Sequence, residues 1–412
     1  MMDERYTAAL AQLIQPTRAV DYARAADANV ERMRALLHAL GDPHHQYDCI
    51  VVAGSVGKTS LCHQLAHGER LAGRRVGLYT SPHLHSFRER FQIDGALIPM
   101  DEFAALWDEI ARAITTLGAA FSTFEAATAL GLHWFARRRI AIAVLEIGLG
   151  GRFDAVNVVR KSAAAITPIE WEHAAILGGT LERIAWHKAG VIPAGGRVYS
   201  APQAPSVTAV IAAEAARVGA VVQPLAVLTR DLPPPPPIPG RMERAPNGIW
   251  IDGAHTVGGA RRIVEMSRRG VPLERPPLER LPLESDFEMP SPVTIVIGML
   301  RDKAIPDVLA AFDHPHWHWI LTTAPATRGL SASELAAGYA PTHARTTILP
   351  DVEAALAGAA ALRQAYPAQT VIVAGSLRMA AAAREFFGMV TADMVEEARA
   401  TRAIYAAKNA GL

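Results

Sequence analysis

Apolar positions between residues 28 and 40 fall at Val30, Met33, Leu36, Leu37 and Leu40. That three-and-four spacing predicts a helix with one buried face, stopped by Gly-Asp-Pro. The pattern then changes. Residues 49–53 form a short continuous apolar run, and further strand-like runs follow at 76–80, 140–146, 163–167 and 197–200. Helical stretches at about 58–72 and 124–136 separate some of these runs. Buried strands alternating with helices predict a doubly wound, mostly parallel α/β sheet. Further strand-like runs at 248–252, 293–298, 319–323 and 370–374 predict a second, smaller α/β domain.

Five consecutive prolines at 233–237, with Pro239 beyond, divide the two patterns. Such a run is stiff and extended and joins neither sheet nor helix. The expected organisation is therefore a first domain over 1–232, a linker at 233–239 and a second domain over 240–412. Within the latter, the Pro- and Glu-rich stretch 271–292 is expected to be a mobile insert.

A length of 412 residues is too great for one core, which supports two domains. A net charge of +1 without a basic run argues against nucleic acid or anionic lipid as partner. The two cysteines, Cys49 and Cys62, fit a reducing compartment and cannot by themselves make a zinc site. The start of the chain is acidic and polar, unlike a secretory signal, and no apolar stretch reaches membrane-spanning length. The expectation is a soluble, cytoplasmic protein without a membrane partner.

Candidate chemistry begins at residues 51–60, V-V-A-G-S-V-G-K-T-S. A strand passing into glycines, a lysine and hydroxyls at a helix start is a phosphate-binding arrangement. N–H groups near Gly54 and Gly57 surround phosphate oxygens, Lys58 adds charge, and Thr59 or Ser60 faces Mg²⁺. The match to the full P-loop pattern is imperfect, because Val52 stands where the first glycine belongs. Glu146 ends a buried apolar run just before Gly148-Leu-Gly-Gly. A carboxylate there opens onto the crevice where such sheets bind ligands, and it calls for a cation.

Other segments follow in order: T-S-P-H-L (80–84) with Glu89-Arg90, L-E-I-G-L-G-G-R-F-D-A-V-N (145–157), H-K-A-G-V-I (187–192), P-G-R (239–241), D-G-A-H-T (252–256), G-M-L-R-D-K (298–303) and A-G-S-L (374–377). Together with the loop, they make the chain resemble the folylpolyglutamate synthase/dihydrofolate synthase family of the Mur ligase superfamily, over about residues 20–387. The resemblance implies a P-loop-containing, Mur-ligase-like domain and a Rossmann-like C-terminal domain, with ATP bound in the cleft between them. It implies two Mg²⁺ ions and an acyl phosphate that the amine of L-glutamate attacks. Folate or dihydropteroate would be the acceptor.

By the same resemblance Ser81, Glu146 and His173 are metal ligands, and His173 belongs to the catalytic set with Lys58 and Lys188. Lys188, by itself a surface lysine on a helix, matches a lysine that the family carbamylates. Arg241, Asp252 and His255 match nucleotide contacts, although Asp252 also fits a helix cap. Ser122, Thr123, Phe124 and Glu125, with Phe153, Asp154 and Ala155, match segments lining the folate pocket. Arg90 and Arg328 are candidate anion contacts.

Several positions depart from the family pattern. Val56 and Thr59 replace a polar residue and a glycine, Glu172 replaces aspartate, and Thr256 and Val257 replace Asn and Pro. The segment before the loop matches the pteroate-binding region poorly, which leaves dihydrofolate synthase activity open. The alternatives are a Mur-type cell-wall amino-acid ligase or a silent nucleotide- or folate-binding relative. About 50 residues before the loop are few for the extra domain of the former, and the whole metal set is superfluous for the latter. The chain is expected to act as a monomer.

Overall fold

The computed structural model describes residues 3–15, 26–268, 293–313, 316–339 and 345–409; the expected insert at 271–292 lies outside them. Two compact units result, one of residues up to Pro235 together with those from Asp393 onward, the other of described residues between Pro236 and Ala392.

In the first unit β1 (Asp48–Ala53), β2 (Val76–Tyr79), β3 (Phe91–Ile93), β4 (Ala96–Leu97), β5 (Ile142–Glu146), β6 (Ala163–Ile166), β7 (Arg197–Ser200) and β8 (Val221–Pro224) form one sheet. Its order is β4-β3-β2-β5-β1-β6-β7-β8, parallel from β2 to β8, with β3 and β4 as an antiparallel edge. The continuous apolar runs follow from burial on both faces. Val51, Ala53 and Leu145 point to one core, Ile50, Val52 and Val144 to the other. β1 lies between β5 and β6, with Val52 opposite both Glu146 and Ala165. The chain thus reverses its direction of travel across the sheet at β1, where such sheets bind ligands beyond the strands' C-terminal ends.

Both cysteines are free and buried, and burial pushes the Cys49 thiol up to about 12. Among the described residues, no helix is long and apolar enough to cross a membrane.

The second unit has its own sheet, built from β9 (Glu243–Arg244), β10 (Trp250–Ile251), β11 (Val293–Ile297), β12 (His318–Leu321), β13 (Arg345–Ile348) and β14 (Thr370–Ala374). The order is β13-β12-β11-β14-β10-β9, with only β9 antiparallel to its neighbour. Phe312, Trp317 and Trp319 fill its core.

One boundary needs correction. The sequence reading ran the second domain to 412, but the helix Ala392–Asn409 packs with the first unit. Its Glu397 is fully buried and accepts hydrogen bonds from Tyr6 Oη, Ser86 Oγ and the guanidinium of Arg88. The helix Glu4–Leu13, started by Asp3 accepting from the N–H groups of Arg5 and Tyr6, brings Tyr6 to this contact.

Candidate active site

At the end of β1 the chain turns at Gly54, whose φ is +135°. An added Cβ there would lie 1.9 Å from Thr167 Oγ1, so only glycine fits. The loop is held from outside: Ser55 and Val56 N–H donate to Pro168 O at 2.9 and 3.3 Å. Ser55 Oγ also accepts from Glu170 N at 3.0 Å and donates to Glu170 O at 3.2 Å. Gly57, in the left-handed region, then starts the helix Lys58–Leu71. Lys58 Nζ donates to Ser55 O at 3.3 Å, beside the helix N-terminus, with Thr59 and Ser60 in the first turn. Gly54→Ala is expected to abolish binding of a fluorescent ATP analogue; unchanged affinity would mean that Thr167 moves aside at no cost.

Glu146, 2% exposed, is the centre of the site. Thr59 Oγ1 donates to its two oxygens at 3.0 and 3.1 Å, and Ser81 N–H donates to Oε2 at 3.2 Å. Thr59 Oγ1 and the Glu146 carboxylate therefore converge as hard oxygen donors of the kind Mg²⁺ prefers, with the Ser81 backbone beside them. His173 stands in a left-handed conformation before the helix Ala174–Leu177, with Nε2 3.7 Å from Glu172 Oε1. It follows by three residues the Glu170 that clamps Ser55.

Lys188, read from sequence alone as a surface residue, is buried on the helix Leu181–Ala189. Its Nζ donates to Gly54 O at 2.7 Å. Burial lowers its pKa to about 7, Lys58 repels its charge, and Glu172 and Asp154 act in the opposite sense. These interactions bring Lys58, Lys188, Glu172 and Asp154 into one electrostatic neighbourhood.

Residues expected on the folate side have mostly local tasks. Ser122 and Glu125 form a capping box on the helix Thr123–Arg137, and Glu125 also pairs with Arg32 at 2.5 Å. Thr123 Oγ1 accepts from Gln15 N at 2.8 Å. Phe124 packs over Gly148, where an added Cβ would meet its ring at 2.5 Å. Asp154 organises its loop, its oxygens accepting from the backbone N–H groups of Gly148, Leu149 and Val156. Burial nonetheless raises its pKa to about 6. Ala155 is buried, and Phe153 packs against Trp186 and His187 with ring centroids 6.0 and 5.7 Å away. Arg90 is buried under the 80–84 loop, donating to His83 Nδ1 at 3.1 Å and stacked 4.7 Å from the Phe87 ring centroid.

In the second unit Asp252 and His255 follow β10, and the Arg241 guanidinium lies beside Gly253. Asp252 accepts from Met242 and Ala254 N–H at 2.8 and 2.7 Å, and His255 Nδ1 lies 2.7 Å from Gly253 O. Burial raises the Asp252 pKa while the Arg241 charge lowers it, so the two side chains are neighbours. Arg328 is largely exposed and pairs with Asp302 at 3.2 Å.

Compared with protein-family models, the chain matches none. It is 29% identical to the dihydrofolate synthase/folylpolyglutamate synthase of Mycobacterium tuberculosis, across 88% of this chain and 90% of that protein. It is 39% identical to the folylpolyglutamate synthase of Lacticaseibacillus casei, across 46% of this chain but 45% of that protein. The match thus spans less than half the length of the latter. Among solved structures, the folylpolyglutamate synthase of M. tuberculosis complexed with ADP and AMPPCP superposes with a TM-score of 0.74 at 26% identity, covering 93% of this chain and 99% of that one. A bifunctional folylpolyglutamate synthase/dihydrofolate synthase from Yersinia pestis, complexed with AMPPNP and Mn ion, gives 0.71 at 27%, covering 86% and 92%.

Proposed function

We propose that the chain, similar over most of its length to the dihydrofolate synthase/folylpolyglutamate synthase of M. tuberculosis, belongs to that family and is an ATP-dependent ligase joining L-glutamate to a folate. The observation that carries the reading is the convergence of the Lys58–Thr59 helix start, Ser81 and buried Glu146 on one point. In the reaction the γ-phosphoryl group passes from ATP to a folate carboxylate, leaving ADP and an acyl phosphate. The glutamate amine attacks the carbonyl carbon, loses a proton and displaces phosphate, and an amide remains.

Lys58 and the N–H groups at the helix start offset charge on the transferred phosphoryl group. Ser81, Thr59 and Glu146 fit Mg²⁺, with His173 as a further ligand; the ion, when bound, supplies positive charge to the phosphate oxygens. Lys188, carbamylated, would present an anion in place of an ammonium beside Lys58. Arg241, Asp252 and His255 are proposed nucleotide contacts. Arg90, Phe124 and Phe153 are proposed on the substrate side, and the active species is proposed to be a monomer.

The test is mass spectrometry of products formed from ATP, Mg²⁺ and L-glutamate with either monoglutamyl tetrahydrofolate or dihydropteroate. Glutamate on the first alone indicates a polyglutamate synthase, and on both a bifunctional enzyme. Addition to neither, with ATP binding intact, overturns the proposal in favour of a silent relative. Glu146→Gln is expected to lose Mg²⁺-dependent turnover while keeping its melting temperature. Unchanged turnover would remove Glu146 from the metal set.

A further inference from the structure

At the opposite end of β1 from the phosphate loop, the sequence Gly41-Asp42-Pro43-His44-His45 closes the helix Ala26–Ala39 and opens a 3₁₀ turn. Gly41 and Asp42 both have positive φ, and the reversal folds the Asp42 carboxylate back to 2.9 Å from His38 Nδ1. One ligating atom each of Asp42, His44 and His45 lies within 4.8 Å of the others. The His44 and His45 ring centroids are 4.0 Å apart. His44 is 4% exposed, yet its Nδ1 has no hydrogen-bond partner among the described residues.

We propose that Asp42, His44 and His45 form a binding site for a zinc-like divalent metal ion, separate from the ligase centre. Two imidazoles with one carboxylate suit zinc and its first-row neighbours, whereas Mg²⁺ takes oxygen donors such as those around Glu146. A metal would satisfy a buried polar nitrogen that is otherwise costly to leave unmade. His38, bonded to Asp42, holds the carboxylate in place. Strand rise puts the start of β1 about 16 Å from its end, so the ion would not touch nucleotide. The site would tie the end of the helix Ala26–Ala39 to the entry of β1.

The test uses the full chain stripped with EDTA and titrated with ZnCl₂ against a chromophoric chelator, with native mass spectrometry for stoichiometry. His173→Ala removes competing binding at the ligase centre. In that background one zinc ion should bind, and His45→Ala and Asp42→Asn should each weaken it by at least about tenfold. Zinc should raise the melting temperature of the parent and not of these variants. Because His45 is exposed, its substitution in the chain that keeps His173 should leave both the fold and ligase activity intact. Equal zinc affinity and stoichiometry in the parent, His45→Ala and Asp42→Asn, or no zinc bound in the parent, would overturn the proposal.

Discussion

Lys188→Ala is expected to lower kcat by at least about 10²-fold, the scale of losing one preorganised electrostatic group, with folding intact. The reason lies in burial. A lysine at its ordinary pKa near 10.5 is neutral in only roughly one molecule in a thousand near pH 7.4, and only the neutral amine adds CO₂. Lys188, pushed down to about 7 by burial, carries the neutral amine in a far larger share of molecules at that pH. On the proposed carbamylation, the amine would take up CO₂, lose one proton and become a carbamate anion. Added acetate or formate should partly restore Lys188→Ala, since a free carboxylate can occupy the vacated space. A fully active variant would remove the carbamate from the mechanism.

Stability offers a second readout of the same group. The pKa is lowered in the folded state, so between about pH 7 and pH 10 the unfolded chain binds more protons than the folded one. Uncarbamylated Lys188 therefore destabilises the protein most below pH 7, and stability rises with pH through that window. Measured in CO₂-free buffer, Lys188→Met should flatten the rise in melting temperature; an unchanged profile would mean that Lys188 is charged in the folded protein.

These properties of Lys188 were invisible in the sequence, because helical spacing around Trp186-His187-Lys188 does not say which face Gly54 approaches. What was legible is the alternation of apolar runs. β1, β5, β6 and β7 appear within two residues of expectation, since strands buried on both faces leave continuous apolar sequence. β8 has exposed valines and β13 is exposed throughout, so edge position erased their signal.

The helices Glu4–Leu13 and Met100–Leu117 were missed, although Phe103, Trp107, Ile110 and Ile114 mark a helical apolar stripe in the second. At the site, Glu146 and Gly54 announced themselves through their neighbours. The Thr59–Glu146 contact did not, because it joins positions 87 residues apart. Ser122 and Glu125 carried a different, readable message: Ser-x-x-Glu before an apolar run is a capping box, and the structure builds one. The loop-holding contacts of Asp154 were hidden, because a sequence does not reveal three backbone donors converging on one carboxylate.

Glu397→Ala should destabilise the protein by about 3–5 kcal/mol, the cost of breaking a buried ion pair from one side. The wild-type carboxylate is fully buried and accepts from Tyr6 Oη, Ser86 Oγ and both Nε and Nη2 of Arg88. Burial and the Glu397 anion both raise the Tyr6 pKa, so the phenol stays protonated and donates. Removing the acceptor strands the Arg88 charge and two buried hydroxyls at once. Glu397→Gln, which keeps an acceptor oxygen but not the charge, should lose less. Urea denaturation checks both, and a loss under about 1 kcal/mol for the alanine variant would place the pair among weakly coupled surface contacts.

The effect should also reach catalysis. Ser86 lies on the loop carrying Ser81, which Glu89 organises by accepting from Leu84, His85 and Ser86 N–H at 2.7, 3.0 and 3.0 Å. Loosening Ser86 frees the far end of that loop, so the Mg²⁺ concentration for half-maximal turnover should rise in Glu397→Gln at temperatures where the variant is folded. An unchanged Mg²⁺ requirement would confine Glu397 to fastening the C-terminal helix.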